Sequence, residues 1–337
     1  MAVQLSGPGA FCRDCEYPRH LVEEFVDRVS LPIAYRYSEP ESVCRGFMRP
    51  YQALQDAVGA MVVRSIGKKL IQSPSLESDV WKYKRIRVSC NGQDIDGAII
   101  GSEQSFARKR WVLFSQGNSG LYEEALGTGV YERWLKLLGA NGLIFNYPGV
   151  SLSQGPTTKR SCARAHRAML SFLESQVKAQ EIICHGFSLG GVIQGESLRF
   201  HRFKQEVAYA VVYDRTFASL SALVSSLGDS SLWGRAVSLF DWNAIYEPTD
   251  KPELVIQSSD IESGAVLLTS DRLLADDGVI PKADSLAKRV LGYPEERRAN
   301  IQVIGVAEGH FARLSADRVI AEYILGLLAR ERLGRAA

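Results

Sequence analysis

Residues 182–191 read Ile182-Ile183-Cys184-His185-Gly186-Phe187-Ser188-Leu189-Gly190-Gly191, and this stretch decides the fold. An apolar run enters Gly-x-Ser-x-Gly, and Val192-Ile193-Gln194-Gly195-Glu196-Ser197-Leu198 behind it reads as a helix. A strand that turns sharply into a helix, with a serine at the turn, is the nucleophile-elbow pattern. Side chains at Gly186 and Gly190 would collide with the neighbouring strand and helix, so both positions lack a Cβ. The turn predicts strained backbone angles at Ser188. Its hydroxyl would stand proud of the sheet edge, where the helix N-terminus favours developing negative charge. Alone, Gly-x-Ser-x-Gly is a loose motif, so its meaning depends on which partners the rest of the chain supplies, and in what order.

Outward from this turn, strands and helices alternate. On the N-terminal side, Arg85–Cys90 alternates in polarity, Asn91-Gly92 is a hairpin turn signal, and Asp94–Ile100 returns. Arg110–Ser115 is a buried-strand pattern ending in Gln116-Gly117-Asn118-Ser119-Gly120, and Tyr122–Leu138 reads as one helix. Gly142–Phe145 is a strand, Thr158–Ala179 a helix, and Glu181 opens the strand of the elbow. On the C-terminal side, Ala208–Tyr213, Leu254–Gln257 and Ile301–Val306 read as strands and Ala316–Arg330 as an amphipathic helix. Such alternation predicts an α/β fold with a mostly parallel central sheet and helices on both faces, and ligands bind such sheets outside the carboxyl ends of the strands.

Residues 1–80 read differently. His20–Ser30 and Tyr51–Ile71 carry apolar residues at helical spacing, punctuated by Pro32, Pro40 and Pro50. This predicts a helical N-terminal region, 1–80, packed on a domain spanning 81–337. It could serve as a docking surface for a protein partner, a cap over the site or structural padding. Residues 217–250 hold many large apolar groups (Leu220, Leu227, Trp233, Phe240 and Trp242 among them) and mark the place for a short lid suited to an acyl group, or for ordinary core helices.

At 337 residues the chain can bury a large core, and 46% hydrophobic with 23% charged residues is ordinary for a soluble globular protein. A net charge of +2 gives no reason to expect nucleic acid or an anionic membrane as partner. No apolar run approaches membrane-spanning length, so no stable membrane insertion is expected. The first residues lack the basic start and apolar run of a signal peptide, and scattered cysteines argue against a disulfide scaffold. A cytoplasmic location is expected. Cys12-x-x-Cys15 is half of a zinc site with no second half nearby, so neither a metal nor an organic cofactor is expected.

A serine hydroxyl is a weak nucleophile at neutral pH; it needs a base within hydrogen-bond reach and a carboxylate to orient that base. Five histidines are available. His20 lies in the N-terminal region, His166 and His201 fall in expected helices, and His185 sits on the elbow strand itself. His310 follows a late strand in a Gly-His turn at the sheet's carboxyl edge and is the expected base. Asp277, in Asp277-Gly278-Val279-Ile280-Pro281, is the favoured carboxylate, with Asp260 next and Asp276 adjacent. Backbone N–H groups of Leu189 and of Asn118 or Gly117 are the expected oxyanion donors.

The chain order Ser188…Asp277…His310 is that of α/β-hydrolases, and the chain resembles that superfamily over about residues 81–337. The likeness rests on Gly186-Phe187-Ser188-Leu189-Gly190-Gly191, on Asp277-Gly278-Val279-Ile280-Pro281, which resembles the family's acid turn Asp-x-x-Val-Pro, and on Gly309-His310. Asn146-Tyr147-Pro148-Gly149-Val150-Ser151-Leu152-Ser153-Gln154-Gly155 is similar to the family's Asp-Tyr-Arg-Gly-x-Gly-x-Ser-x-Gly segment. Gln116-Gly117 departs from the common His-Gly, and Phe187 from the common Gly-His-Ser; neither removes a triad member. The layout also resembles the chlamydial 43-kDa-type proteins, a likeness that implies a bacterial pathogen source and export by a leaderless route. The superfamily implies a serine hydrolase cleaving an ester, or less readily a thioester or amide, of a small acyl substrate. An acyltransferase on the same triad and a non-catalytic interaction protein on a hydrolase scaffold are the alternatives.

Overall fold

The computed structural model describes residues 34–37, 81–102, 105, 108–117, 120–126, 129–220, 223 and 246–336. Among these residues ten strands form one sheet: β1 (Ala34–Tyr37), β2 (Lys82–Cys90), β3 (Gln93–Gly101), β4 (Arg110–Ser115), β5 (Asn141–Phe145), β6 (Glu181–Phe187), β7 (Ala208–Asp214), β8 (Glu253–Ser258), β9 (Ala265–Leu267) and β10 (Ile301–Val306). Their order is β1-β2-β3-β5-β4-β6-β7-β8-β10-β9. From β5 to β10 neighbouring strands run parallel; β3 is antiparallel to both β2 and β5, and β9 to β10.

The β2–β3 hairpin follows from its turn. Asn91 and Gly92 both hold positive φ, 51° and 80°, as a two-residue turn with the twist of its flanking strands requires. The parallel strands read as unbroken apolar runs because both faces are covered. Ile182 and Cys184 of β6 join a core cluster on one face, with helices α3 (Lys159–Ser175) and α4 (Leu189–Leu198). Ile183 between them joins a second cluster on the opposite face, with α2 (Val130–Leu138) and α5 (Asp317–Ala336). Helix α3 starts at a capping box, in which Thr158 Oγ1 accepts the Ser161 N–H and Ser161 Oγ the Thr158 N–H.

Strand order places the site. The chain steps from β4 sideways to β5, then crosses back over β4 through α3 to reach β6. Strands β4 and β6 are therefore neighbours whose connections depart in opposite directions, a topological switch point at which the loops splay apart and leave a crevice. Both Gln116-Gly117 and Ser188 emerge there.

Three expectations change. The region 1–80 is not wholly helical, since Ala34–Tyr37 within it pairs in parallel with β2. Tyr122–Leu138 is two helices, α1 (Tyr122–Leu126) and α2, with Gly129 at φ 70° preceding the second. His201 lies beyond the end of α4 rather than in a helix, its ring bonded to Glu174 at 2.8 Å. The edge strand β9, not expected from the sequence, pairs antiparallel with β10. The helices expected at 20–30 and 51–71, the Cys12/Cys15 pair and residues 224–245 of the lid region lie outside the described residues.

Candidate active site

Ser188 turns β6 into α4 with φ 52° and ψ −122°, a backbone conformation that costs a non-glycine residue on the order of 1–3 kcal/mol. Its surroundings impose it. The Ser188 N–H donates to the Asp214 carbonyl at 3.0 Å, and its carbonyl accepts from the Gly191 N–H at 3.0 Å and the Thr216 hydroxyl at 2.6 Å. A Cβ on Gly186 would lie 2.6 Å from Gly191 Cα, and one on Gly190 would lie 2.1 Å from the Ser115 carbonyl oxygen of β4. Gly191 is tight as well, 2.7 Å from Thr216 Oγ1.

Ser188, His310 and Asp277, distant in sequence, meet in one hydrogen-bonded chain. Ser188 Oγ lies 3.0 Å from His310 Nε2, and His310 Nδ1 lies 2.8 Å from Asp277 Oδ2. All three residues are buried. Asp277 Oδ1 accepts the N–H groups of Val279 at 2.9 Å and Ile280 at 2.6 Å, a local turn closed by Gly278 at φ 90°. Burial raises the Asp277 pKa, but the hydrogen bonds from His310, Ile280 and Val279 outweigh it and hold the carboxyl below its ordinary value. The His310 N–H also donates to the Asp277 carbonyl at 2.7 Å, so the two residues are tied through backbone and side chain alike. Asp276 is exposed and accepts the Lys282 N–H at 2.7 Å. Asp260 is exposed, with its N–H on the Leu273 carbonyl. Neither is the carboxylate on His310.

Gly117 lies against the serine, a Cβ there falling 3.4 Å from Ser188 Cβ and 3.0 Å from the Phe187 ring. The Tyr147 hydroxyl donates to the Gln116 carbonyl at 2.8 Å and so braces this loop from the Asn146–Gly155 segment. Leu189 opens α4, where backbone N–H groups lack partners within the helix. Asn118 lies outside the described residues.

Arg215 was not singled out by the sequence. It is buried with φ 42°, directly after β7. Nε and Nη2 donate to the two carboxylate oxygens of Asp214, while Nη1 donates to the carbonyls of Gly309 and Ala312, both at 2.7 Å. The guanidinium thus grips the backbone on both sides of His310 and lies 5.3 Å from the centre of the Phe187 ring. The signal available was Asp-Arg-Thr at a strand's carboxyl end; its partners lie 94 and 97 residues away.

Beside this array opens a cavity of about 470 Å³. His310, Gly117, Phe187, Phe114, Tyr131 and Trp134 are among the residues that line it. His185, on the elbow strand, lines this cavity. Phe311, 81% exposed, stands at its mouth with its ring edge-on to His310. No helix among the described residues is long and apolar enough to cross a membrane.

The architecture is shared with solved structures. An alpha-beta hydrolase from Vibrio vulnificus matches with a TM-score of 0.55 at 15% identity, over 90% of this chain and 97% of that one. An esterase from Pyrococcus furiosus matches with a TM-score of 0.55 at 14% identity, over 78% of this chain and 96% of that one. At such identities the likeness concerns the fold, which is that of the α/β-hydrolases. No curated protein matches the chain. A family profile described as Chlamydia CHLPS protein (DUF818) matches residues 48–319, well over half of the sequence, and agrees with the chlamydial likeness read from the sequence. The chain therefore belongs to the Chlamydia CHLPS protein family and carries it on an α/β-hydrolase fold.

Proposed function

We propose that the protein is a serine hydrolase that cleaves an ester of a small acyl substrate through an acyl-enzyme. The observation that carries this reading is the continuous bond chain from Ser188 Oγ through both nitrogens of His310 to Asp277. In this mechanism Ser188 Oγ attacks the ester carbonyl as His310 Nε2 accepts its proton. The resulting oxyanion is held by backbone N–H groups of Leu189 and of Gly117 or Asn118. Collapse of the tetrahedral intermediate expels the alcohol, which takes the proton from His310. Water then repeats the sequence on the acyl-enzyme, releasing the acid and restoring Ser188. Asp277, kept ionised by its three hydrogen bonds, orients His310 and stabilises its charged form. The strain at Ser188 serves the same end, since a relaxed serine would not present Oγ to His310.

The test is labelling with a fluorophosphonate probe together with turnover of a p-nitrophenyl ester panel. Labelling should vanish in Ser188→Ala, and ester turnover should fall by around a millionfold. Well-folded protein that neither labels nor turns over any ester would overturn the proposal.

A further inference from the structure

The cavity beside His310 contains polar atoms that the proposed triad does not use. His185 and Gln116 are 8% and 6% exposed, and both line the cavity. His185 Nε2 and Gln116 Nε2 have no hydrogen-bond partner among the described residues. A buried polar group left in this state costs about 1–3 kcal/mol, and no partner among the described residues is placed to relieve it. The carboxylate nearest His185 Nε2 is Asp214 at 3.8 Å, beyond hydrogen-bond reach, and both its oxygens are already held by Arg215.

The charge is balanced as well. Burial lowers the His185 pKa, the nearby Asp214 raising it less, so the ring is neutral at physiological pH. Asp214 and Arg215 compensate one another. Around His185 and Gln116 the cavity therefore offers hydrogen bonds without an uncompensated buried charge; Arg313, also in its lining, is exposed. Its walls are aromatic. Phe114 meets the His185 ring edge-on with centroids 5.6 Å apart, and Trp134 lies 5.8 Å from it at a tilt. Such walls favour a flat ring, packed edge-to-face or offset, over a flexible alkyl chain. The volume of about 470 Å³ lies within the range of small-molecule sites.

Building on the serine-ester reading, we infer that this cavity recognises substrates carrying an uncharged aromatic ring with a hydroxyl or carbonyl oxygen, which His185 Nε2 and the Gln116 amide hydrogen-bond. The ring fills the space between Phe114, Tyr131 and Trp134, and its oxygen completes the two vacant hydrogen bonds. Both interactions are absent for a linear acyl chain of equal size.

The test separates recognition from chemistry by measuring binding to the Ser188→Ala protein. Calorimetric titration would compare methyl (4-hydroxyphenyl)acetate, methyl phenylacetate and methyl octanoate. The hydroxylated ring should bind about tenfold to a hundredfold more tightly than the plain ring, and the octanoate weakest of the three. Adding His185→Phe, which keeps an aromatic ring and removes Nε2, should bring the hydroxyl preference to within about twofold. Gln116→Leu should lower the same ratio and gives the readout independently if His185→Phe does not fold. Octanoate binding as tightly as the ring esters, or a hydroxyl preference that survives both substitutions, overturns the inference. Fluorophosphonate labelling of the unmodified protein distinguishes the two proposals. Hydroxyl-selective binding without labelling keeps the recognition site and removes the hydrolase; labelling without selectivity does the reverse.

Discussion

Two groups of buried polar side chains meet at His310. In the chain from Ser188 to Asp277 the polar atoms are matched: both imidazole nitrogens are bonded, and the two carboxylate oxygens share three donors. In the neighbouring cavity His185 and Gln116 each keep a buried nitrogen without a partner among the described residues. The satisfied group is arranged in advance, its geometry owing nothing to a ligand. The unsatisfied group is complete only when something else supplies the missing bonds. Pre-arranged electrostatics suits a reaction's charge development, whereas open hydrogen bonds suit discrimination between ligands.

The strongest way to break this contrast is to unmatch the first group. Asp277→Asn keeps the shape but changes what His310 Nδ1 faces, and should lower ester kcat by on the order of 1000- to 10000-fold. Asp260→Ala and Asp276→Ala, made in exposed residues away from His310, should stay within about twofold of the parent. Steady-state kinetics on the three variants decides it, and a large loss in Asp260→Ala would mean that the acid has been misassigned.

A smaller effect should come from the residue that holds the two groups together. Arg215→Lys keeps the charge beside Asp214 but cannot span Asp214 and the carbonyls of Gly309 and Ala312 in one planar fork. His310 would lose its fixed seat, and misplacement on the scale of 1 Å can cost about 100-fold. We expect kcat to fall about 10- to 100-fold with KM nearly unchanged. A loss confined to KM would place Arg215 in binding rather than positioning.

The smallest effect sharpens the comparison through a third buried histidine, away from the cavity. His166 reaches from α3 to α4, with Nδ1 2.8 Å from Ser197 Oγ and Nε2 unpartnered among the described residues. Burial, with lesser contributions from His201 and Arg167, lowers its pKa from 6.5 to about 3. Between these values the unfolded chain holds the proton that the folded chain refuses, so stability falls as pH drops below 6.5. By pH 5 this amounts to about 2 kcal/mol. His166→Gln should flatten that part of a stability-against-pH curve measured by denaturant titration. If the curve is unchanged, desolvation alone does not keep these histidines neutral, and the case for a neutral His185 weakens with it.

How far each feature could be read depended on how local its cause is. The β2–β3 hairpin was legible because Asn91-Gly92 specifies its own turn. The elbow was legible because Gly186 and Gly190 answer to steric demands of adjacent backbone. The split between α1 and α2 escaped the apolar periodicity, which runs on across Gly129. The parallel strand at Ala34–Tyr37 carries four residues and no turn signal of its own, so flanking helical spacing masked it. Arg215 escaped because its role is defined by carbonyls far along the chain, and a carbonyl has no side chain to announce it.

By itself, then, the sequence determined the strand–helix alternation, the strained serine turn and the order Ser188, Asp277, His310, because periodicity, glycine placement and chain order are properties of near neighbours. Only the tertiary structure decided which carboxylate meets His310, that Arg215 clamps the loop around it, and that His185 faces an aromatic cavity with an unused nitrogen. Those are relations among strand ends brought together at the β4–β6 switch point, where the sheet's order, and not the spacing of residues, sets who touches whom.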